Sequence, residues 1–302
     1  MLGLQAYLMK LKRHLSKNKE LIQVFGKYPN IRYKEYQGYQ SRNKSVISLI
    51  QTVFNQYGEL FRDKLVDFYI YTGDNPENAL KYLDFGKPVF AFSTTEKLKE
   101  IIIPIPDFIY TGWPEVGIAS WEETVAECQI KADKPYNFQQ CFWIGNPQTH
   151  TSRDIVLQLS RDNPNLLKAV DMTWLNNETG VKNVASQHVT IPDHAAYKSL
   201  IDIRGVGYSG RVKLLMQLKR PLFIVERPQI EFFYHYMVPF KHFIPVKGDM
   251  SDLIEKLQWL SDNNEEYRRI VDEGSTFAKK YLSKEFALEY LQNVISEYGI
   301  KK

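Results

Sequence analysis

Cysteine is scarce in this chain. Cys128 and Cys141 are its only two, and they show no C-x-x-C spacing. That excludes a disulfide framework and a four-ligand zinc site, and it suits a reducing compartment. No apolar run approaches the ~18–20 residues that a membrane-spanning helix needs. Residues 1–19 have no basic stretch ahead of their apolar part and no small-residue cleavage site, so no secretory signal is expected and a cytoplasmic location is. Charge of one sign is also lacking. Lys and Arg total 39 against 35 for Asp and Glu, and a net charge of +4 is too small to mark a nucleic-acid surface. There is no long repeat and no low-complexity tract. What remains is an ordinary globular composition, with 44% hydrophobic and 25% charged residues in 302 positions, enough for about two domains. Aromatic residues are plentiful at 14%, which fits sugar-stacking surfaces and equally fits bulky packing.

Residues 2–19 place Leu4, Leu8, Leu11 and Leu15 on one helical stripe opposite Lys10, Lys12, Arg13, Lys17 and Lys19. Such a helix suits an anionic membrane surface as well as docking on its own core. A helix is predicted over 45–61 and strands over 65–71 and 88–93. The proline-broken stretch 101–110 leads into a loop at 111–115, and a helix is predicted over 121–132. The polar stretch Lys131-Ala132-Asp133-Lys134-Pro135 reads as the domain boundary. Beyond it strands and helices alternate: strands at 140–144, 200–203, 222–226 and 242–246, and helices from 152 and over 210–219, 229–237, 249–262 and 265–281. Alternation of this kind predicts a parallel sheet covered by helices, with ligands beyond the carboxyl ends of the strands.

Two loops fall at those ends, 145–151 and 204–210. The second is the most distinctive segment of the chain. After the apolar run Leu200-Ile201-Asp202-Ile203 comes Arg204-Gly205-Val206-Gly207-Tyr208-Ser209-Gly210-Arg211, entering the next predicted helix. Glycines admit close backbone approach, helix N-termini attract anions, and the flanking arginines carry forked donors for phosphate oxygens. The P-loop pattern fails here, because Arg211 and Val212 follow Gly210. The dinucleotide pattern G-x-G-x-x-G is met, with Glu226 about twenty positions on, so a nicotinamide-dependent oxidoreductase stays open. So does a plain glycine turn with surface arginines. Around it, His150, His188 and His235 read as structural or solvated, and Lys213 and Lys219 as a solvated helix face.

Several ordered motifs resemble glycosyltransferase family 90. Gly145-Asn146-Pro147-Gln148-Thr149-His150-Thr151-Ser152-Arg153-Asp154, then Leu159-Ser160-Arg161-Asp162-Asn163-Pro164, is similar to the family's G-S-R-T-S-x-x-R-D…L-S-R-x-N-P signature. Arg204-Gly205-Val206 through Arg211 resembles its R-G-V-A-A-S-x-R. The likeness continues through Glu231-Phe232-Phe233-Tyr234 and His242-Phe243-Ile244-Pro245-Val246-Lys247. It is dense from 142 to 283 and thinner from 65 to 120.

The resemblance implies an α/β GT-B fold, two Rossmann-like domains facing a central cleft. Residues 1–134 would form the acceptor side and 135–283 the nucleotide-sugar side, with the C-terminal helix in 284–302 packing back on the first domain. It implies an inverting transferase with a UDP-sugar donor, no cofactor and no bound metal. By position Arg153 and Arg211 would grip the donor diphosphate. Asn146 replaces the family's serine, and Arg204, Gly205, Val206, Gly207, Tyr208 and Ser209 would line the donor pocket. Glu231 would accept from ribose hydroxyls, and Asp74 would deprotonate the acceptor. Trp113 and Glu115 stand where the secretory members carry an acceptor-contacting F-W-E-G-G-P loop. Gly73-Asp74-Asn75-Pro76 is also an ordinary turn, where aspartate is common for local reasons. The expected branch is bacterial, a hexose going to a saccharide hydroxyl of lipopolysaccharide inner core at the cytoplasmic face of the inner membrane. Transfer to protein serine or threonine is the alternative, and no nucleic-acid partner is expected.

Overall fold

Short apolar runs and helical stripes assemble into two α/β units, here described in a computed structural model covering residues 20–173 and 189–301. The basic stripe of 2–19, and with it the expectation of a membrane contact, lies outside the described residues, as does His188. One unit comprises residues up to Pro114 together with Leu288 onward, and the other spans Glu115–Ala287.

In the first unit the order is β2-β1-β3-β4-β5, from β1 (Leu21–Lys27), β2 (Asn30–Glu35), β3 (Leu65–Tyr71), β4 (Val89–Ala91) and β5 (Ile102–Pro104). β1 pairs antiparallel with β2 and β3, whereas β3, β4 and β5 run parallel. The β1–β2 hairpin occupies a stretch for which the sequence suggested no element. β2 is an edge strand that buries no residue, so it lacks the apolar alternation that announces a strand. Gly26, at φ +126°, makes the hairpin feasible, because a Cβ there would lie 2.5 Å from the Asn30 carbonyl oxygen. The helix expected at 45–61 is α1 (Gln40–Tyr57), which turns Val46, Leu49, Ile50, Val53 and Phe54 inward and ends in a 3-10 turn, Gly58–Phe61.

The second unit is a five-stranded, wholly parallel sheet in the order β10-β9-β8-β6-β7. Its strands are β6 (Phe138–Gly145), β7 (Leu167–Asp171), β8 (Tyr197–Asp202), β9 (Leu222–Val225) and β10 (Ile244–Val246). β9 is buried along its whole length, as expected for a strand covered on both faces. Cys141, Trp143, Ile201, Phe223 and Ile244 from the strands meet Val156 of α3 (Ser152–Asp162) and Leu257 of α5 (Leu253–Asp262) in one core. From β6 the chain steps to β7 on one side and then crosses to β8 on the other. The carboxyl ends of β6 and β8 therefore flank a topological switch point, where open α/β sheets bind ligands.

Three expectations need correction here. The helix predicted over 210–219 is a single turn, α4 (Val212–Leu215), followed by a 3-10 turn that Lys219 closes at φ +49°. All seven residues from 212 to 218 are buried, so no polar face supports a longer surface helix. The helix predicted over 229–237 shrinks to a 3-10 turn, Tyr234–Tyr236, because consecutive Glu231, Phe232 and Phe233 all point inward, which a helical stripe forbids. The third concerns the stretch 131–135, read as a linker. The division falls instead at Pro114, and α2 (Trp121–Ala132) counts with the second unit. Arg220 accounts for this. Its guanidinium donates to the carbonyls of Ala132 (3.2 Å) and Lys134 (2.7 Å), and also to those of Ala195 and Tyr197. The last helices are α6 (Asn264–Tyr281) and α7 (Lys284–Tyr298), the latter contributing its residues from Leu288 to the first unit.

Phe223, fully buried in the middle of the parallel sheet, is a direct probe of this core. Phe223→Ala should lower unfolding stability by about 3–5 kcal/mol, measured as a shift of the urea midpoint at unchanged slope.

Candidate active site

The loop after β6 is shaped by close approach. A Cβ on Gly145 would lie 2.7 Å from the Trp143 ring and 3.3 Å from Arg153 Nη1, so only glycine leaves room for the guanidinium. The Asn146 side chain accepts from the Gln148 N–H (3.0 Å), and its carbonyl accepts from Arg153 Nη1 (2.9 Å). Helix α3 begins at Ser152, but Thr151 makes no side-chain cap. His150 does the capping: its Nδ1 accepts from the Ser152 N–H (3.2 Å) and lies 2.7 Å from Ser152 Oγ. Burial and the nearby Arg204 and Arg153 charges lower the His150 pKa, favouring the neutral ring that this cap requires.

Arg153 bridges the two loops at the switch point. Besides Asn146, it donates from Nε to the Arg204 carbonyl (2.9 Å) and from Nη2 to the Ile203 carbonyl (3.3 Å). Its donors thus go to backbone oxygens of both strand ends and not to the adjacent Asp154. Burial and the neighbouring Arg211 charge pull the Arg153 pKa down to about 10. Arg211 donates to the Ile144 carbonyl (2.6 Å), at the end of β6.

Asp202, completely buried at the end of β8, is the carboxylate that pairs with both Arg211 and Arg227. Its Oδ1 accepts from Ser209 Oγ (2.7 Å) and lies 3.6 Å from Arg211 Nη2, while its Oδ2 is 2.6 Å from Arg227 Nη2. Burial works against ionisation of Asp202, but Arg227, Arg211 and the Ser209 hydroxyl outweigh it and hold the carboxyl below its usual range. Burial works against the Arg227 charge as well, yet Tyr234 and Asp202 more than offset it and raise its pKa. Arg227 Nε and Nη1 and Arg211 Nη2 are buried donors without a hydrogen-bond acceptor among the described residues. Three mutually repelling guanidiniums thus gather around one carboxylate at a single sheet edge.

The rest of the 204–210 turn is placed unevenly. Arg204 folds back onto the carbonyls of Gly205 (3.2 Å) and Val206 (2.9 Å). Val206 is 57% exposed, whereas Gly207, Tyr208 and Ser209 are buried. A Cβ on Gly205 would stand 3.3 Å from Arg153 Nη2, another close approach. Glu231 is buried in an ion pair with Lys213, whose ammonium also lies over the Tyr208 and Phe233 rings. Lys213 is therefore no solvated face, and Glu231 is turned to an internal cation. Sequence reasoning gave no role to Asp202 or Arg227. Arg227 had a readable signal: it follows the end of β9 much as Arg204 follows β8.

In the first unit, Asp74 lies just past β3. Arg42 Nη1 from α1 holds its Oδ1 at 2.6 Å, leaving the side chain 39% exposed. The Arg42 guanidinium lies against Tyr39 (4.7 Å), Phe108 (4.8 Å) and Trp113 (5.8 Å), and Trp113 meets Phe108 edge-on. Trp113 remains half-buried, and Glu115, which belongs to the second unit, is exposed. Gly73 is required by packing, since a Cβ there would meet the Tyr71 hydroxyl at 2.1 Å. Among the described residues, no three His, Cys, Asp or Glu side chains gather as metal ligands, and no helix is long and apolar enough to cross a membrane.

Because folding lowers the Asp202 pKa, the unfolded chain binds more protons between the folded value and about 3.9. The contribution of Asp202 to stability is thus complete above about pH 4 and is lost as pH falls through the folded value. Asp202→Asn should cost on the order of 3 kcal/mol near neutral pH and progressively less in acid. Urea midpoints of both proteins from pH 6 downward should converge.

The family model for glycosyl transferase family 90 matches residues 17–301. Protein O-glucosyltransferase 1 of Homo sapiens is 32% identical over 230 residues, covering 72% of this chain and 58% of that protein. O-glucosyltransferase rumi of Drosophila melanogaster is 28% identical over 247 residues, covering 77% of this chain and 60% of that protein. The chain thus spans under two thirds of the length of these relatives. A solved glycosyltransferase structure from Rickettsia africae is 11% identical, with a TM-score of 0.48, covering 88% of this chain and 84% of that one. The chain belongs to glycosyl transferase family 90.

Proposed function

We infer that this protein is an inverting glycosyltransferase that moves a hexose from a UDP-sugar to a hydroxyl group, its two α/β units being the Rossmann-like domains of a GT-B enzyme. The observation that carries the reading is the gathering of guanidinium charge by the β6–β8 switch point, where Arg153, Arg211 and Arg227 repel one another around the carboxylate of Asp202. In the transfer, the acceptor oxygen forms a bond to the anomeric carbon as the bond to the diphosphate oxygen breaks. Asp74 takes the acceptor proton. Arg153 and Arg211 meet the charge that collects on the departing UDP, and positioned cations in a partly dehydrated site do this without reorganising. Asn146, Arg204 and the 205–209 turn shape the donor pocket around them. Glu231 is better described as the internal partner of Lys213 than as a ribose contact. Family membership supports glycosyl transfer over hydride transfer to a nicotinamide.

The acceptor reading shifts with the comparisons. Of the relatives described above, the human one is named a protein O-glucosyltransferase and the Drosophila one an O-glucosyltransferase, which supports serine or threonine hydroxyls of a protein ahead of lipopolysaccharide core. Trp113 supplies an apolar face against the Arg42 guanidinium that also holds Asp74, in either case. Radiolabelled transfer to folded protein or peptide acceptors and to a core glycolipid, run side by side, decides between them.

Arg211→Ala should weaken UDP binding on the order of ten- to hundred-fold in calorimetric titration, and unchanged affinity would reject the phosphate role. Asp74→Asn should cut transfer by about 10²–10⁴-fold while UDP affinity holds. Since the leaving-group charge is assigned to arginines, transfer should persist in EDTA. Loss of activity there, restored by a divalent cation, would move that task to a metal.

A further inference from the structure

Asp202 treats its two guanidiniums unequally. Arg227 lies 2.6 Å from Oδ2 with its side chain 2% exposed. Arg211 stays 3.6 Å from Oδ1, an oxygen already accepting from Ser209, and its side chain is 18% exposed. The deeper cation occupies the carboxylate, and the more open one keeps its charge for something else. We propose that Arg227 is a positioning residue for anion binding: by neutralising Asp202 it prevents that carboxylate from capturing Arg211, which stays available to the donor diphosphate. This rests on the donor-site reading above.

The argument is one of competition inside a poorly solvated space. A completely buried carboxylate must have a cationic partner, because an unpaired charge there is strongly unfavourable. Without Arg227 the nearest candidate is Arg211, which a movement of about an ångström brings into a direct pair. Arg211 would then leave the Ile144 carbonyl and spend its charge internally. Arg227 itself is too deep to meet a ligand, so its effect passes through Asp202. Arg227 also serves the fold by pairing with Asp202, but three guanidiniums gathered beside one another leave a local positive field that favours a bound anion. Arg153 and Arg211 each bear the repulsion of Arg227, which a bound diphosphate would relieve.

The test is calorimetric titration of UDP into the full chain and into Arg227→Met, Arg227→Lys, Asp202→Asn and the double variant Asp202→Asn/Arg227→Met, at several NaCl concentrations. Arg227→Met should weaken UDP at least about ten-fold and flatten the salt dependence, since one charge is removed and another diverted. Arg227→Lys should keep most of the affinity. The double variant removes carboxylate and cation together, so UDP binding should return to within about three-fold of the parent. If Arg227→Met does not fold, the double variant and Asp202→Asn still decide. The former should bind like the parent and the latter at least as tightly. A folded double variant without UDP affinity, or an Arg227→Met protein that binds like the parent, overturns the proposal. A parent chain with no affinity for UDP overturns the donor-site reading and this inference together. Binding by the parent that Arg211→Ala weakens and Arg227→Met does not overturns this inference alone.

Discussion

A single buried carboxylate organises the loops at the carboxyl ends of β8 and β9 in the second unit. Asp202, the last residue of β8, reaches the glycine turn through Ser209, the start of α4 through Arg211 and the end of β9 through Arg227. Backbone hydrogen bonds fix strands relative to one another, but loops at strand ends have no ladder to hold them. Here an ionic and hydroxyl network takes over at the point where the sheet stops. Taking a carboxylate fully out of water is unfavourable by several kcal/mol unless cations and donors compensate. The arginines around it are therefore parts of the fold as well as candidates for the chemistry.

Arg153 shows the same double duty from the other side. Its guanidinium ties the loop after β6 to the loop after β8 through three backbone carbonyls, across the point where strand order reverses. Carbonyls accept without neutralising, so the cation keeps its charge while losing its freedom. A lysine could not span the same oxygens, because its ammonium is a compact donor on a flexible stem. The glycines at 145 and 205 serve this arrangement through space and not through backbone conformation, since neither has a positive φ and each gives its absent side chain's room to Arg153.

Much of the second unit was legible because its strands bury both faces and read as plain apolar runs between turn residues. β6, α3, β8, β9, β10, α5 and α6 all stand close to where the pattern put them. The two failed helices, 210–219 and 229–237, share a cause: their residues are buried all round or in consecutive positions, so local pattern loses its meaning and tertiary packing decides. β2 is a polar edge strand with too little alternation to announce itself, which leaves the short apolar run of β1 without a visible hairpin partner. β7 is a five-residue edge strand that buries only Leu167 and Val170. Arg153, Arg211 and Arg204 were visible through loop placement and family likeness. Lys213 and Arg227 were not, because a cation's burial depends on a distant carboxylate, Glu231 or Asp202, that sequence spacing does not bring near.

Arg220 draws residues 132–134 against the sheet by four backbone carbonyls from two separate chain segments. Anyone excising the second unit for separate expression must respect that grip. A fragment opening at Pro135 discards Ala132 and Lys134, two of the guanidinium's six backbone acceptors once the adjacent Leu218 and Lys219 are included, along with the whole of α2. A fragment that keeps Ser120, the N-cap of α2, retains them. The practical domain edge is set by one side chain's appetite for acceptors, and the polar, proline-marked stretch beside it is a seam already stitched shut.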